Sequence, residues 1–306
     1  MFDGVIGHEK ILEVLSRVAE HPGQAYLFSG AEGMGKKMVA EKFAGEVLGE
    51  GSLDSHPDFI RVQREEGARD ISIKQARVLI ERLSLSSARG GRTVVLIEDA
   101  DALNEESSNA LLKIVEEPPG HLIFLFLSER PDRLPITLRS RLAPLVFYPV
   151  ASSVIESWLL ARGVKKEEAL FCATSCGGSP GLALRMSQDV DVWKERARAA
   201  KNLVSVMCEG TVGNRLAVIE KFTQAVELNE HAVAAWREEL TLAMRQYSSF
   251  FLEDPSHATH AGEALTFAFR QVGGSLSPRF ALEWWGTRDA FVALRSIPLF
   301  LSPAYL

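Results

Sequence analysis

The sequence predicts an α/β domain built on a parallel sheet, followed by a helical remainder. Three observations carry this expectation. Short apolar runs alternate with helix-period stretches through the first half of the chain. One run, His121 to Ser128 (HLIFLFLS), is continuously apolar, as a strand covered on both faces must be. After Pro149 the strand signals fade and helical periodicity takes over.

In chain order, Ala25 to Ser29 (AYLFS) is a short buried-strand signal that ends at Gly30, and Lys36 to Leu48 carries helical periodicity. Phe59 to Val62 reads as a second strand. Ile73 to Leu83 reads as an amphipathic helix with Ser72 as its N-cap. Arg92 to Ile97 is a third strand, Asn104 to Glu117 a helix stopped by Pro118-Pro119, and His121 to Ser128 the fourth strand. Beyond Pro149, helices are expected at Ala151 to Gly163 and Lys165 to Cys176. Gly177-Gly178 follows as a turn, with Pro180 in the first turn of a further helix. From about Val192 onward the chain reads as helix, most clearly in the stripe Trp236, Leu240, Met244, Tyr247 and Phe251. Three domains are expected: 1–149 α/β, 150–191 a small helical domain and 192–306 a helical C-terminal domain.

Composition narrows the partners. With 306 residues, 46% of them hydrophobic and 24% charged, the chain is long enough for two or three domains of ordinary globular type. The net charge of −6 means that any nucleic-acid contact must come from a local basic patch. The N-terminus MFDGVIGHEK has neither a basic nor an apolar leader region, and no apolar run is long enough to span a bilayer. Cys172, Cys176 and Cys208 are a sparse, odd set that fits a reducing, cytoplasmic compartment better than a disulfide scaffold. Cys172 and Cys176 could hold half a metal site, but no second pair of ligands accompanies them, so they read as buried thiols and no metal site is assigned.

Gly30 to Lys37 reads G-A-E-G-M-G-K-K, against the phosphate-loop pattern G-x-x-x-x-G-K-[ST]. A strand runs in and a helix runs out, so Gly30, Gly33 and Gly35 can let amides converge on a phosphate at a helix N-terminus. A plain glycine turn before a helix is the alternative reading. Position eight should offer a hydroxyl to Mg²⁺, but here it is Lys37, whose ammonium cannot ligate a metal. Phosphate can still meet the loop amides and Lys36. The strand end V-V-L-I-E-D-A-D supplies Glu98 and Asp99 as candidate acids, although carboxylates at a strand end can also be a solvated turn.

These motifs, with others along the chain, resemble the delta-prime family of bacterial DNA polymerase III clamp-loader subunits, which are AAA+ proteins. The residues carrying the resemblance are FDGVIGHEKIL at Phe2 to Leu12, the loop region AYLFSGAEGMGK and Ser55-His56-Pro57-Asp58. The most specific is IEDADALNEESSNALLKIVEEPP from Ile97 to Pro119. LPITLRSRL at Leu134 to Leu142, CGGSPGLAL at Cys176 to Leu184 and, weakly, SPRFALEWW at Ser277 to Trp285 add to it. The resemblance covers residues 1–190 well and 190–306 weakly. It implies an AAA+ P-loop domain, a helical lid and an all-α collar through which the subunit joins a ring.

Four departures separate the chain from the motor subunits of that complex. Lys37 replaces the hydroxyl, Glu98-Asp99 inverts the usual Asp-then-Glu order, and Gly181 stands where the lid arginine is expected. Leu48 to His56 also lacks a cysteine-rich zinc module. The resemblance therefore implies a subunit that hydrolyses no ATP and needs no cofactor, though ATP or ADP can sit in the loop. Its implied partners are gamma/tau motor subunits, the delta subunit, the sliding clamp and primer–template DNA, with no membrane. Ser140-Arg141 matches the segment that presents an arginine to a neighbouring subunit's nucleotide. By itself Arg141 could equally cap the preceding helix or pair with a surface acid, and Arg139 competes for the role. The rivals are an active AAA+ ATPase of motor or helicase type and a P-loop small-molecule kinase. A kinase should not carry the Asn109 to Pro119 helix followed by Leu138-Arg-Ser-Arg. Lys74 and Arg77, one turn apart, suit a DNA backbone or simply a solvated face. Ser128 ends the fourth strand where such proteins place a polar sensor, and Trp284-Trp285 reads as core rather than as a base-stacking surface.

Overall fold

The computed structural model describes residues 2–49, 52–53, 55–65, 67–68, 70–83 and 91–198. The chain divides into two compact units, Met1–Ser187 and Gln188–Leu306, and the first carries the sheet and the candidate site. The stripe from Trp236 to Phe251, the Ser277 to Trp285 segment and Cys208 lie outside the described residues.

Helix α1 (Glu9–Val18) precedes strand β1 (Ala25–Ser29), helix α2 (Lys36–Leu48) and strand β2 (Phe59–Val62). Helix α3 (Ile73–Leu83), strand β3 (Thr93–Ile97), helix α4 (Glu105–Glu116) and strand β4 (Leu122–Ser128) follow. A short helix α5 (Ile136–Arg139) leads into strand β5 (Ala143–Val146). Three helices come next: α6 (Ser152–Leu160), α7 (Lys166–Ser175) and α8 (Pro180–Gln188). The strands form one all-parallel sheet in the order β2-β3-β4-β1-β5.

Every residue of β1, β3 and β4 is buried, because helices cover both faces of the sheet. Successive side chains go to opposite faces. Leu27, Val95, Ile97, Phe124 and Phe126 pack towards α3 and α4 with Leu79 and Leu111. Tyr26, Phe28, Val94, Leu96 and Leu125 pack towards α1 and α2 with Leu15 and Phe43. The helix starts are chemically specified. Gln75 N–H donates to Ser72 Oγ at 3.3 Å while Ser72 N–H donates to Gln75 Oε1 at 3.0 Å, a reciprocal capping box that opens α3. Asn104 accepts from Ser107 N–H at 2.8 Å and opens α4.

Helix α1 and strand β5 are not among the elements expected above, although Ile11, Leu12, Leu15 and Val18 of α1 recur at helical spacing. Only Leu15 of α1 is fully buried, and β5 is an edge strand whose Pro144 is tolerated because, among the described residues, no further strand pairs beyond it. Cys172 and Cys176 are both buried, and Cys176 Sγ donates to the Ala173 carbonyl, as structural thiols do. No helix among the described residues is long and apolar enough to cross a membrane.

The turn out of β1 tolerates only glycine. Gly30 has φ +148°, and a Cβ there would meet the Phe147 carbonyl oxygen at 2.5 Å. Gly30→Ala is expected to cost about 2–4 kcal/mol, from strain plus a backbone clash that no side-chain rotation relieves. Urea unfolding reads the cost, and a midpoint equal to that of the wild type would show that the loop yields.

Candidate functional site

The sheet order brings three strand ends together. Strand β4 lies between β1 and β3, so the loop after β1, the acids after β3 and Ser128 of β4 share the carboxyl edge of the sheet. A cavity of about 480 Å³ opens there, within the usual range for small-molecule sites. Its walls include Gly33, Gly35, Lys36 and Lys37 of the loop, together with Glu98, Asp99 and Asp101. Gly4 to Ile6, Ser128, Glu129 and Trp158 contribute further, as do Pro180, Gly181 and Leu184 at the start of α8. His8 ties the N-terminal segment to the loop through a 3.1 Å hydrogen bond from Nε2 to the Met34 carbonyl. Burial lowers its pKa, against the raising effect of that hydrogen bond and of Glu9.

Within the loop, the Lys36 ammonium turns back and donates to the Gly30 and Ala31 carbonyls at 2.6 and 2.8 Å. Burial lowers its pKa, and the carboxylates of Glu129, Glu32, Asp101 and Asp99 partly restore it. Glu129 is shifted up, first by burial, while Lys36 opposes the shift.

Lys37 and the acids after β3 already have partners within the chain. The Lys37 ammonium donates to Glu98 Oε2 at 2.9 Å, and Arg61 Nε lies 3.5 Å from the other Glu98 oxygen. Asp99, held in the left-handed region at φ 52°, pairs with Arg64 Nε at 3.1 Å. Asp101 accepts from Ser128 Oγ at 3.0 Å and from Glu129 N–H at 3.2 Å. The acid that meets Ser128 is therefore Asp101, a residue the sequence pattern does not single out beside Glu98 and Asp99.

The first turn of α8 rests directly on the glycine loop. Gly181 N–H donates to the Gly33 carbonyl at 2.9 Å, and Ser179 Oγ donates to the Glu32 carbonyl at 3.2 Å. A Cβ on Gly181 would stand 3.0 Å from the Gly33 oxygen, so the residue in the place of the expected lid arginine is at a backbone contact with little room for a side chain.

Arg141 is not brought into this cavity. It follows α5, half-exposed, where Nη1 donates to the Thr137 carbonyl and Nη2 pairs with Glu116 at 2.6 Å. Both simple readings of this arginine, a helix cap and a partner for a surface acid, describe its position in the isolated chain. Arg139 donates to the Pro131 carbonyl at 3.4 Å.

Strand, glycine loop and helix in this order, at the carboxyl edge of a parallel sheet flanked by helices, define the class: an α/β domain. A family model described as DNA polymerase III, delta subunit matches residues 7–151. The chain is 34% identical over 223 residues to DNA polymerase III subunit delta' of Pseudomonas aeruginosa, a match covering 65% of this chain and 66% of that protein. It is also 32% identical over 155 residues to DNA polymerase III subunit tau of Escherichia coli, covering 46% of this chain and 24% of that one. Among solved structures, a DNA polymerase III gamma subunit-related protein from Thermotoga maritima has a TM-score of 0.52 at 15% identity. That alignment covers 90% of this chain and 97% of the other, and it speaks for the fold alone. Over these spans the chain is similar to the delta' subunits of DNA polymerase III. The matches span just under two thirds of the delta-prime relative and about a quarter of the tau relative.

Proposed function

We propose that this chain is a clamp-loader subunit that hydrolyses no ATP itself and instead supports hydrolysis by a neighbour. The observation that carries the reading is the ion pair between Lys37 and Glu98 at 2.9 Å. A P-loop ATPase needs a hydroxyl on its metal at the first of these positions, and an ammonium has no lone pair to give. In this reading residues 1–149 form the AAA+ domain, 150–191 its lid and 192–306 a collar that joins the ring. The partners are gamma/tau and delta subunits, the sliding clamp and primer–template DNA, and Arg141 is the residue offered in trans.

The purified chain is expected to release no phosphate from ATP above background in the presence of Mg²⁺. Turnover of about one per second, within the usual enzymatic range and abolished by Lys36→Ala, would overturn the reading. Lys37→Thr alone is expected to leave the chain inactive, because the Glu98-Asp99 order and Gly181 are unchanged. A second reading, an active motor-type ATPase, draws on the similarity to a tau subunit. The same assay decides between the two.

A further inference from the structure

We infer that the cavity takes a nucleoside polyphosphate without a divalent cation, the Lys37 ammonium standing where the cation would be. The inference deepens the non-hydrolysing reading and rests on it, adding the charge state of the ligand.

Mg²⁺ does not fit the residues present. It demands about six oxygen ligands at near-octahedral positions. The loop offers no hydroxyl at position 37, and the three carboxylates that follow β3 already face a cation or donor of the chain. Glu98 faces Lys37 and Arg61, Asp99 faces Arg64, and Asp101 accepts from Ser128 and from the Glu129 amide. Among the described residues, no group of three or more His, Cys, Asp or Glu side chains could hold a metal ion. A dication entering here would have to break the Lys37–Glu98 pair and would then sit beside the released ammonium.

The features that favour a phosphate chain remain. The cavity is open at the N-terminus of the 13-residue helix α2, where amides and the helix dipole favour anions. Lys36 spends two hydrogen bonds on loop carbonyls, which phosphate oxygens can replace. Lys37 has three N–H donors, so it can keep Glu98 and still face a phosphate oxygen. Trp158 lines the same cavity with an indole N–H that is buried and lacks a hydrogen-bond partner, a donor that an acceptor on a heteroaromatic base would satisfy. The site thus pairs Glu98 and Asp99 with its own cations, and a ligand that arrives chelated to Mg²⁺ must first shed the ion.

The test is calorimetric titration of the full chain with ATP, once in EDTA and once in excess Mg²⁺. The expected result is binding in EDTA that is at least as tight as in Mg²⁺. Lys37→Thr, which restores a hydroxyl and frees Glu98, is expected to reverse the order, with Mg²⁺ tightening binding by about tenfold. Lys37→Gln, which removes the charge without offering that geometry, is expected to weaken binding in EDTA. Mg²⁺ tightening of wild-type binding by about tenfold would overturn the inference, as would no binding in either buffer. Neither result touches the absence of turnover, whereas phosphate release by the wild-type chain would sink the non-hydrolysing reading whatever the EDTA comparison shows.

Discussion

In a complex reconstituted with Arg141→Ala, DNA-stimulated ATP hydrolysis at the adjoining site is expected to fall by about a hundredfold or more. Arginine fingers in comparable phosphoryl-transfer systems contribute roughly 10³ to 10⁵ in rate. The guanidinium suits the task because its planar fork grips two oxygens and never loses its charge. In the isolated chain this arginine is held by the Thr137 carbonyl and by Glu116. Those contacts are weak restraints, since Arg141 and Glu116 side chains are 38% and 41% exposed and such surface pairs contribute about 1 kcal/mol or less. Folding and assembly of the alanine variant should therefore match wild type. Glu116→Gln removes the surface pair but keeps Arg141, and should leave turnover near wild type. Arg141→Lys should rescue little, because a point charge cannot make the bidentate contact. Unchanged turnover by a fully assembled Arg141→Ala complex would return Arg141 to the purely local role it has in the isolated chain.

A large loss of stability is expected at Phe28. Its ring is fully buried in β1, between β4 and β5, with its centroid 5.9 Å from that of Phe147. Phe28→Ala should cost about 3–5 kcal/mol, the usual range for emptying a fully buried phenylalanine site. That is a large share of the total stability of an ordinary domain. Tyr148, 69% exposed just beyond β5, provides the control, and its alanine variant should stay within about 0.5 kcal/mol of wild type. Urea midpoints with unchanged slopes measure both. A loss below about 1 kcal/mol at Phe28 would mean that neighbouring side chains collapse into the space, and the account of this core would fail.

Residues 25–128 are legible from sequence because their signals are local. Strands β1, β3 and β4 are apolar throughout, and Ser72, Asn104 and the two prolines after α4 mark helix ends by hydrogen bonding and sterics that act within a few residues. The absence of a hydroxyl at Lys37 is legible for the same reason: whether a side chain has a lone pair for a cation depends on its identity alone. Strand β5 is not legible, because Pro144 and two further exposed positions give it no pattern, and only its pairing with β1 makes it a strand.

The sequence by itself determined the sheet-forming runs, the glycine loop and the absence of a hydroxyl at its eighth position. These follow from composition and short-range spacing. The tertiary structure decided which groups face that position. Arg61 and Arg64 reach Glu98 and Asp99 because β2 pairs with β3, and Asp101 meets Ser128 because β4 lies beside β3. Trp158 and Gly181 join the same cavity from helices more than a hundred residues along the chain. Charge pairing acts over a few ångströms in space, whatever the separation in sequence, so no local pattern could announce it.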